Sequence, residues 1–327
     1  MNRIPIVIAD GAMASQLEHL GFKMPNGTPN LWSSSSLISD IELVQRVHRG
    51  YLDAGASVFS TCTYQLTLEA TRSEDVTRDL FGKAINSLGE VVTKAGHSGC
   101  RKLLSLGPCA VVQPSGTEYS GIYSHPFTHD GKPSFEAMYK FHLSRMELVP
   151  EEDWPKLDGV LFETIPLLSE VTAIRKAIKQ FQQRHQAIKK EFYITMVFPD
   201  GHLPGQGIKG NNGTRAMTTM DEGYAVVRAV LMPSDGQADI SGIVRRDRSF
   251  SGDAVPILLL FPDGGEIWDG GRFIGGLNVG EWCEHVEGAL ECASKGCWGS
   301  IWVGGCCNTS PSHIQMLHNI VSELNGP

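Results

Sequence analysis

Two adjacent cysteines, Cys306 and Cys307, give the strongest chemical signal in this sequence. They follow an apolar run that ends in Gly-Gly, and a Ser-Pro pair typical of a helix start comes shortly after them. The two glycines let the backbone bend, so both sulfurs can point the same way. A helix N-terminus favours thiolate, which is the form that Zn²⁺ binds. The pair is interpreted either as two ligands of one metal ion or as two small core residues.

Two acidic residues occupy comparable positions, each directly after a predicted strand. Asp10 follows the first strand and Glu163 follows the fourth. A carboxylate at such a position could hold the ammonium group of an amino acid. The alternative is a structural role as a helix N-cap or in a salt bridge, most obviously for Asp10 before the helical pattern GAMASQLE. The residues by themselves leave both interpretations open.

An alternation of short apolar runs and helical patterns must position these side chains. The predicted strands are Ile6–Ala9, Ser57–Thr61, Leu103–Leu106, Gly159–Phe162, Phe192–Phe198, Ile240–Val244, Ile257–Phe261 and Ser300–Val303. Continuous apolar strands between segments of period 3.6 indicate a buried parallel sheet covered by helices. We predict an α/β fold, a single-domain (β/α)8 TIM barrel over residues 1–327, because glycine or polar residues follow nearly every strand. A doubly wound open sheet is the alternative.

Composition excludes several classes of partner. With a net charge of −8 and 41% hydrophobic residues, the chain does not favour nucleic acid or an anionic membrane surface. It contains no apolar run of about 18 residues, so no transmembrane helix is expected. Eight cysteines without a secretory leader predict a reducing compartment, with free or metal-bound thiols and a cytoplasmic location.

The strand ends, taken together, form an ordered set of motifs. These are DGAMASQLE (10–18), STCTYQ (60–65), SLGP (105–108), EYSGIY (118–123), FETIP (162–166), FPDGGE (261–266) and GGCCNTSPSHI (304–314). In this order the set resembles the homocysteine S-methyltransferase family, and it spans nearly the whole chain. The fungal and plant type, which uses S-methylmethionine or S-adenosylmethionine, is the most similar.

This resemblance implies a reaction and a metal. The family transfers a methyl group from a sulfonium donor to homocysteine and forms methionine. Its members carry Zn²⁺ at the mouth of a (β/α)8 barrel, and the paired cysteines after the last strand, here Cys306 and Cys307, are two of the ligands. A free thiol has a pKa of about 8.5 and is mostly protonated at neutral pH. Binding to Zn²⁺ removes that proton and leaves a positioned nucleophile.

The resemblance also implies a pocket that binds small-molecule substrates. In the family, the acid of the first motif and the glutamate of the fourth help to bind homocysteine, which corresponds to Asp10 and Glu163 here. The segment after the second strand lines the same pocket, so Ser60 and Thr61 are further candidates. Homocysteine and a sulfonium donor are therefore the expected partners, with no nucleic acid and no membrane.

One family feature is missing. The third zinc ligand of the family is a cysteine after the sixth strand, in a Gly-x-Asn-Cys context. The corresponding stretch, residues 238–255, contains no cysteine, and Asp247 is the nearest side chain able to ligate zinc. Zinc is then held by a substitute ligand, or the chain is a non-catalytic, metal-deficient homologue, or the stretch is an altered segment of an ordinary member. A barrel enzyme of other chemistry, with structural cysteines, is the remaining alternative.

Overall fold

The computed structural model describes residues 4–97, 99–197, 257–268, 273–295 and 298–325. Its strands are β1 (Ile6–Ile8), β2 (Val58–Ser60), β3 (Arg101–Leu106), β4 (Thr128–His129), β5 (Lys132–Pro133), β6 (Gly159–Ile165), β7 (Glu191–Met196), β8 (Ile257–Leu260), β9 (Glu266–Trp268), β10 (Phe273–Gly275) and β11 (Ser300–Val303). Its α-helices are α1 (Met13–His19), α2 (Ser36–Ser39), α3 (Ile41–Asp53), α4 (Leu68–Thr71), α5 (Glu74–Lys94), α6 (Thr117–Ser120), α7 (Phe135–Glu147), α8 (Leu168–Arg184), α9 (Val279–Ser294) and α10 (Pro311–Asn325). Three short 3-10 helices cover Trp32–Ser35, Cys109–Val112 and Glu151–Lys156.

The parallel strands run in the order β7-β6-β3-β2-β1-β11-β8. Sheets β7-β6-β3-β2 and β1-β11-β8 are joined by a parallel bridge between Ala9 and Val58. The short antiparallel pairs β4-β5 and β9-β10 lie outside this order. Because all seven strands are parallel, their carboxyl ends meet along one edge, which brings together the segments that follow them.

Helix α3 shows how the local sequence produces the covering layer. The Asp40 side chain accepts a hydrogen bond from the Leu43 N–H at 3.0 Å, which caps the helix N-terminus. Val44, Val47 and Tyr51 recur at helical spacing and are buried in the hydrophobic core to which the strands also contribute. The apolar face of the helix therefore sets which side covers the strands.

The sheet is strongly curved. Tyr193 on β7 and Trp302 on β11 have ring centroids only 5.0 Å apart, although five strand-to-strand steps separate these strands in the sheet order. In a flat sheet those steps span about 24 Å, since neighbouring strands lie about 4.8 Å apart. Arg101 on β3 stacks over Trp302 at 5.2 Å and donates to the Tyr193 hydroxyl at 3.0 Å. The sheet therefore curls until side chains of distant strands meet.

The predicted α/β fold with a parallel sheet is confirmed. Seven of the predicted strands coincide with β1, β2, β3, β6, β7, β8 and β11, while the one at Ile240–Val244 lies outside the described residues. Among the described residues, β7 and β8 are the edges of the strand order, so closure of the barrel stays a prediction. Within the same ranges, no helix has the length and apolar character needed to cross a bilayer.

Candidate functional site

Asp10 stands at the point where β1 and β2 end. Its backbone N–H donates to the Val58 carbonyl at 2.9 Å, which extends the β1–β2 contact by one residue. Its carboxylate accepts the Ser60 N–H at 2.9 Å and the Ser60 hydroxyl at 3.2 Å. Helix α1 has Ala12 as its N-cap residue and no side-chain capping bond, so Asp10 does not cap that helix. Asp10 is 5% exposed, and its carboxylate points across the sheet edge toward β2, not along the chain.

Glu163 is aimed by an irregularity in β6. The register with β7 shifts between Phe162 and Ile165, and Thr164 takes a φ of +62°. A β-branched residue at positive φ is strained, and such strain persists where surrounding contacts hold it. The Ser105 hydroxyl donates to the Glu163 carboxylate, and the Thr164 N–H donates to the Thr195 hydroxyl at 3.3 Å. The bulge thus sets the direction of the Glu163 side chain.

The two carboxyl groups share one region of low solvent access. Burial raises the pKa of Asp10 to about 8, against the opposing hydrogen bond from the Ser60 N–H, and the nearby Glu163 charge adds to the rise. Burial also raises the pKa of Glu163. In the part of the chain that the structure describes, neither acid forms an ion pair. A cationic ligand between the two carboxyl groups would favour their charged forms and lower both pKa values.

The raised pKa of Asp10 predicts how the stability of the metal-free protein depends on pH. The folded state holds a proton that the unfolded chain releases, so this stabilisation is complete below pH 3.8 and is lost as pH rises to about 8. Over that window the contribution falls by about 1.4 kcal/mol per pH unit. In urea unfolding between pH 5 and 8, Asp10→Asn should show a smaller loss of stability than the wild type. Parallel curves would contradict the assignment.

The two cysteines lie beside Asp10 because β11 pairs with β1. The Gly305 N–H donates to the Asp10 carbonyl at 2.9 Å, and the Cys306 N–H donates to the Pro262 carbonyl at 2.8 Å. The Cys306 and Cys307 sulfurs are 3.9 Å apart. Two sulfurs bound at about 2.3 Å to one tetrahedral Zn²⁺ are about 3.8 Å apart. The spacing therefore suits two ligands of one zinc ion without rearrangement.

The thiol pair is polarised by its hydrogen bonds. The Tyr119 hydroxyl lies 3.5 Å from the Cys307 sulfur. Donation from the Cys306 thiol, aided by Tyr119, lowers the pKa of Cys307, so this sulfur is the one that ionises first. Helix α10 begins at Pro311, as the Ser-Pro pair predicts, and its N-terminus lies a few residues beyond the pair. The hydrogen bond to Cys307 and burial raise the pKa of Cys306, so the metal-free pair favours a single thiolate, at Cys307.

Ser60 and Thr61, both predicted to line the pocket, are placed differently. Ser60 donates to Asp10, as described above, and so lies in the carboxylate cluster. Thr61 is 3% exposed, and its hydroxyl accepts the Ser105 N–H at 3.1 Å and lies 2.6 Å from the Thr63 hydroxyl. Thr61 therefore joins β2 to β3, while Ser60 faces the site. Asp247 lies outside the described residues.

Sequence reasoning missed two tyrosines of this region. The Tyr119 hydroxyl contacts the Cys307 sulfur. The Tyr64 hydroxyl forms a hydrogen bond with Thr164, and negative charge on Glu163 or Cys306 would raise the Tyr64 pKa. Both stand inside strand-end motifs, STCTYQ and EYSGIY, which was the available signal. Neither motif indicates which of its side chains turns toward the site.

A second group of possible metal ligands lies between α7, α8 and the segment after β3. Cys109, His142 and Glu170 are buried, with their ligand atoms within 4.8 Å of one another, so together they could hold a metal ion. In the described state they are hydrogen-bonded instead. Glu170 Oε1 accepts the Cys109 N–H at 2.6 Å and pairs with His142 Nε2 at 2.8 Å, and its other oxygen accepts from Tyr123. To bind a metal ion here, the hydrogen bond between His142 and Glu170 would have to break. The pair Cys306 and Cys307 could bind one without such a rearrangement.

The approach of β11 to β1 depends on the absence of a side chain at Gly304. A Cβ there would lie 2.4 Å from the Asp10 carbonyl oxygen and 2.9 Å from the Ala9 Cβ. Gly304→Ala is therefore expected to lower the free energy of unfolding by about 3 kcal/mol in urea denaturation. Gly89→Ala is the control, since Gly89 in α5 has no atom within 4 Å of the added Cβ and alanine favours helix. Equal stability of both variants would show that β1 and β11 do not approach this closely.

The comparisons agree with the geometry. The family model described as homocysteine S-methyltransferase matches residues 7–321. Similar proteins include homocysteine S-methyltransferase 1 of Arabidopsis thaliana, 28% identical over 95% of this chain and 91% of that protein. Homocysteine S-methyltransferase YbgG of Bacillus subtilis is 26% identical, with 97% and 95% covered. The metallated form of the Escherichia coli homocysteine methyltransferase MmuM shares the fold, with a TM-score of 0.61, 21% identity and 96% of each chain covered. The chain belongs to the homocysteine S-methyltransferase family.

Proposed function

We propose that this protein transfers a methyl group from a sulfonium donor, S-methylmethionine or S-adenosylmethionine, to homocysteine and so forms methionine. The observation that carries the proposal is the convergence of Asp10, Glu163, Cys306 and Cys307 at the carboxyl edge of one curved parallel sheet. Family membership supplies the reaction class. A non-catalytic role is not favoured, because the chain has both acids and both cysteines and they lie together at the carboxyl edge of the sheet.

Zn²⁺ is the proposed cofactor, held by Cys306 and Cys307. The 3.9 Å separation of their sulfurs and the lowered pKa of Cys307 support it, as does the existence of the similar E. coli protein in a metallated form. When bound, zinc would supply a positive charge that keeps the homocysteine sulfur deprotonated at neutral pH. The chain itself must then orient the amino acid and align its sulfur with the methyl group, which contributes several kcal/mol.

The proposed role of Asp10 and Glu163 is to bind the homocysteine ammonium group. Asp10 is buried and Glu163 is half-buried, neither has an ion-pair partner among the described residues, and an ammonium group would neutralise their charge. Ser60 orients the Asp10 carboxylate by two hydrogen bonds. The Thr61 hydroxyl accepts a hydrogen bond from the Ser105 N–H of β3. Thr61 is therefore proposed to support the pocket without contacting homocysteine.

Two residues are candidates for the third ligand of the proposed zinc site. Asp247 is the candidate from the sequence. Asp263 is a second one, because its neighbours are bonded to the thiol segment: the Gly264 N–H donates to the Cys307 carbonyl, and the Pro262 carbonyl accepts the Cys306 N–H, both at 2.8 Å. Zinc affinity measured by competition with a chelator should fall at least about tenfold in only one of Asp247→Ala and Asp263→Ala. An unchanged affinity in both would exclude a carboxylate ligand at either position.

The main test combines metal analysis with a donor-specific assay. The protein is purified under reducing conditions, loaded with zinc, and given homocysteine with S-methylmethionine or S-adenosylmethionine in separate reactions. One zinc per chain and methionine formed from one of the donors are the expected results. Zinc binding and homocysteine binding without methionine would favour the non-catalytic homologue. No zinc and no homocysteine binding would leave a barrel enzyme of other chemistry.

Two further parts of the proposal concern the fold and the cell. We propose that the curved sheet closes into a single-domain (β/α)8 barrel, which the contact between Tyr193 and Trp302 supports. We also propose a cytoplasmic location. All six cysteines that the described ranges show in full are free, as a reducing compartment would keep them.

A further inference from the structure

Arg145 on α7 is 1% exposed, and its guanidinium group donates to four backbone carbonyl groups. Nε donates to Leu66 at 3.1 Å, and Nη1 donates to Gly107 at 2.7 Å. Nη2 donates to Thr63 at 3.1 Å and to Tyr64 at 2.9 Å. Three of these carbonyl groups belong to the loop after β2 and the fourth to the loop after β3. One side chain from a covering helix therefore joins two loops at the carboxyl edge of the sheet.

The charge of Arg145 makes these contacts obligatory. Burial lowers the pKa of Arg145 to about 10, which still leaves the group charged at neutral pH. Across the described ranges, no carboxylate forms an ion pair with it. A buried charge without hydrogen-bond partners costs several kcal/mol. The carbonyl groups must therefore stay directed at the guanidinium, and this requirement fixes the path of both loops.

Tyr64 connects this arrangement to the candidate site. Its carbonyl accepts the Gly107 N–H at 3.0 Å in addition to the bond from Arg145. A Cβ at Gly107 would lie 2.8 Å from Tyr64 Cε2, so the ring packs directly on that glycine. At its far end, the hydroxyl bonds Thr164, next to Glu163. The ring thus extends from the loops held by Arg145 to the bulge that aims Glu163.

We propose that Arg145 is a positioning residue for homocysteine binding, which fixes the loops after β2 and β3 so that Tyr64 forms a wall of the homocysteine pocket beside Glu163. The inference rests on the proposed function, since the pocket is the one assigned there to homocysteine. Lysine cannot replace Arg145, because a single ammonium group cannot donate along the same divergent directions as a planar guanidinium.

The test measures homocysteine binding by calorimetry on zinc-loaded protein without a methyl donor. Arg145→Lys should raise the homocysteine Kd about tenfold, and Tyr64→Phe should raise it less. If Arg145 acts through Tyr64, the double variant should bind about as weakly as Arg145→Lys alone, whereas independent residues would give the product of the two effects. Arg184→Lys, at a half-exposed arginine of α8 that pairs with Glu147, is the matched control and should leave the Kd unchanged.

The outcomes separate the two proposals. A folded Arg145→Lys protein with the wild-type Kd, or a double variant whose effects multiply, would overturn the positioning role. If Arg145→Lys does not fold, Gly107→Ala tests the same geometry, because its Cβ would displace the Tyr64 ring, and an unchanged Kd would then overturn the role. A wild-type protein that binds homocysteine without forming methionine overturns the proposed reaction alone. One that does not bind homocysteine overturns both.

Discussion

Cys307→Ser is expected to abolish stable zinc binding and to slow methionine formation by at least about 1,000-fold. The Cys307 sulfur has its pKa lowered by hydrogen bonds from Cys306 and Tyr119, so it is the more available thiolate of the pair. A hydroxyl does not ionise at neutral pH and is a poor zinc ligand. A catalytic metal contributes several kcal/mol, and each 1.36 kcal/mol is a factor of ten in rate. Metal content and initial rates under reducing conditions measure both effects.

Cys100→Ser is the matched control for this prediction. Cys100 is also a free, partly buried thiol, but it lies at the amino end of β3, away from the carboxyl edge. Its replacement should leave one zinc per chain and a normal rate. If Cys307→Ser retains stoichiometric zinc while a variant of Cys109 loses it, the metal instead belongs to the group formed with His142 and Glu170.

Asp10→Asn is expected to raise the homocysteine Kd about 100-fold while leaving zinc binding intact. Removing one partner of a buried charge pair costs about 2–5 kcal/mol, and 2.7 kcal/mol corresponds to that factor. The amide keeps the shape of the carboxylate and one acceptor for Ser60, so the loss reports the missing charge. Because burial disfavours the Asp10 carboxylate, the variant should unfold at equal or higher urea concentration than the wild type at pH 8.

This combination of weaker binding and unimpaired stability distinguishes a binding residue from a structural one. Asp53→Asn, at an exposed acid at the end of α3, should change neither the homocysteine Kd nor the unfolding midpoint. An Asp10→Asn protein that binds homocysteine within about threefold of the wild type would remove Asp10 from the ammonium site. Glu163→Gln would then become the decisive variant.

The covering of the sheet and the location of the site follow from local chemistry. Apolar runs of strand length between helical patterns predict the parallel strands, and residues after such strands must share one edge. That rule places Asp10, Glu163 and the cysteine pair at one end of the molecule. The helix start at Pro311 also follows from the Ser-Pro pair. These features depend on a few neighbouring residues and on the polarity of a strand.

The orientation of each side chain was decided only by the tertiary structure. Ser60 and not Thr61 faces Asp10: successive side chains of an extended segment point to opposite faces, and the packing of β2 between β1 and β3 decides which face meets the site. Glu163 is aimed by the bulge at Thr164, whose strained φ no local propensity favours.

The curvature of the sheet and the Arg145 contacts likewise join residues far apart in sequence. Tyr193 meets Trp302 across the curved sheet, and Arg145 reaches carbonyl groups of two loops from a helix that follows both. Such contacts depend on where elements pack and on which side chains end up without water. The sequence by itself therefore determined the family, the order of the strands along the chain and the edge that carries the site. Only the packed structure decided which hydrogen-bond donor meets which acceptor there, because these donors and acceptors lie far apart in the sequence.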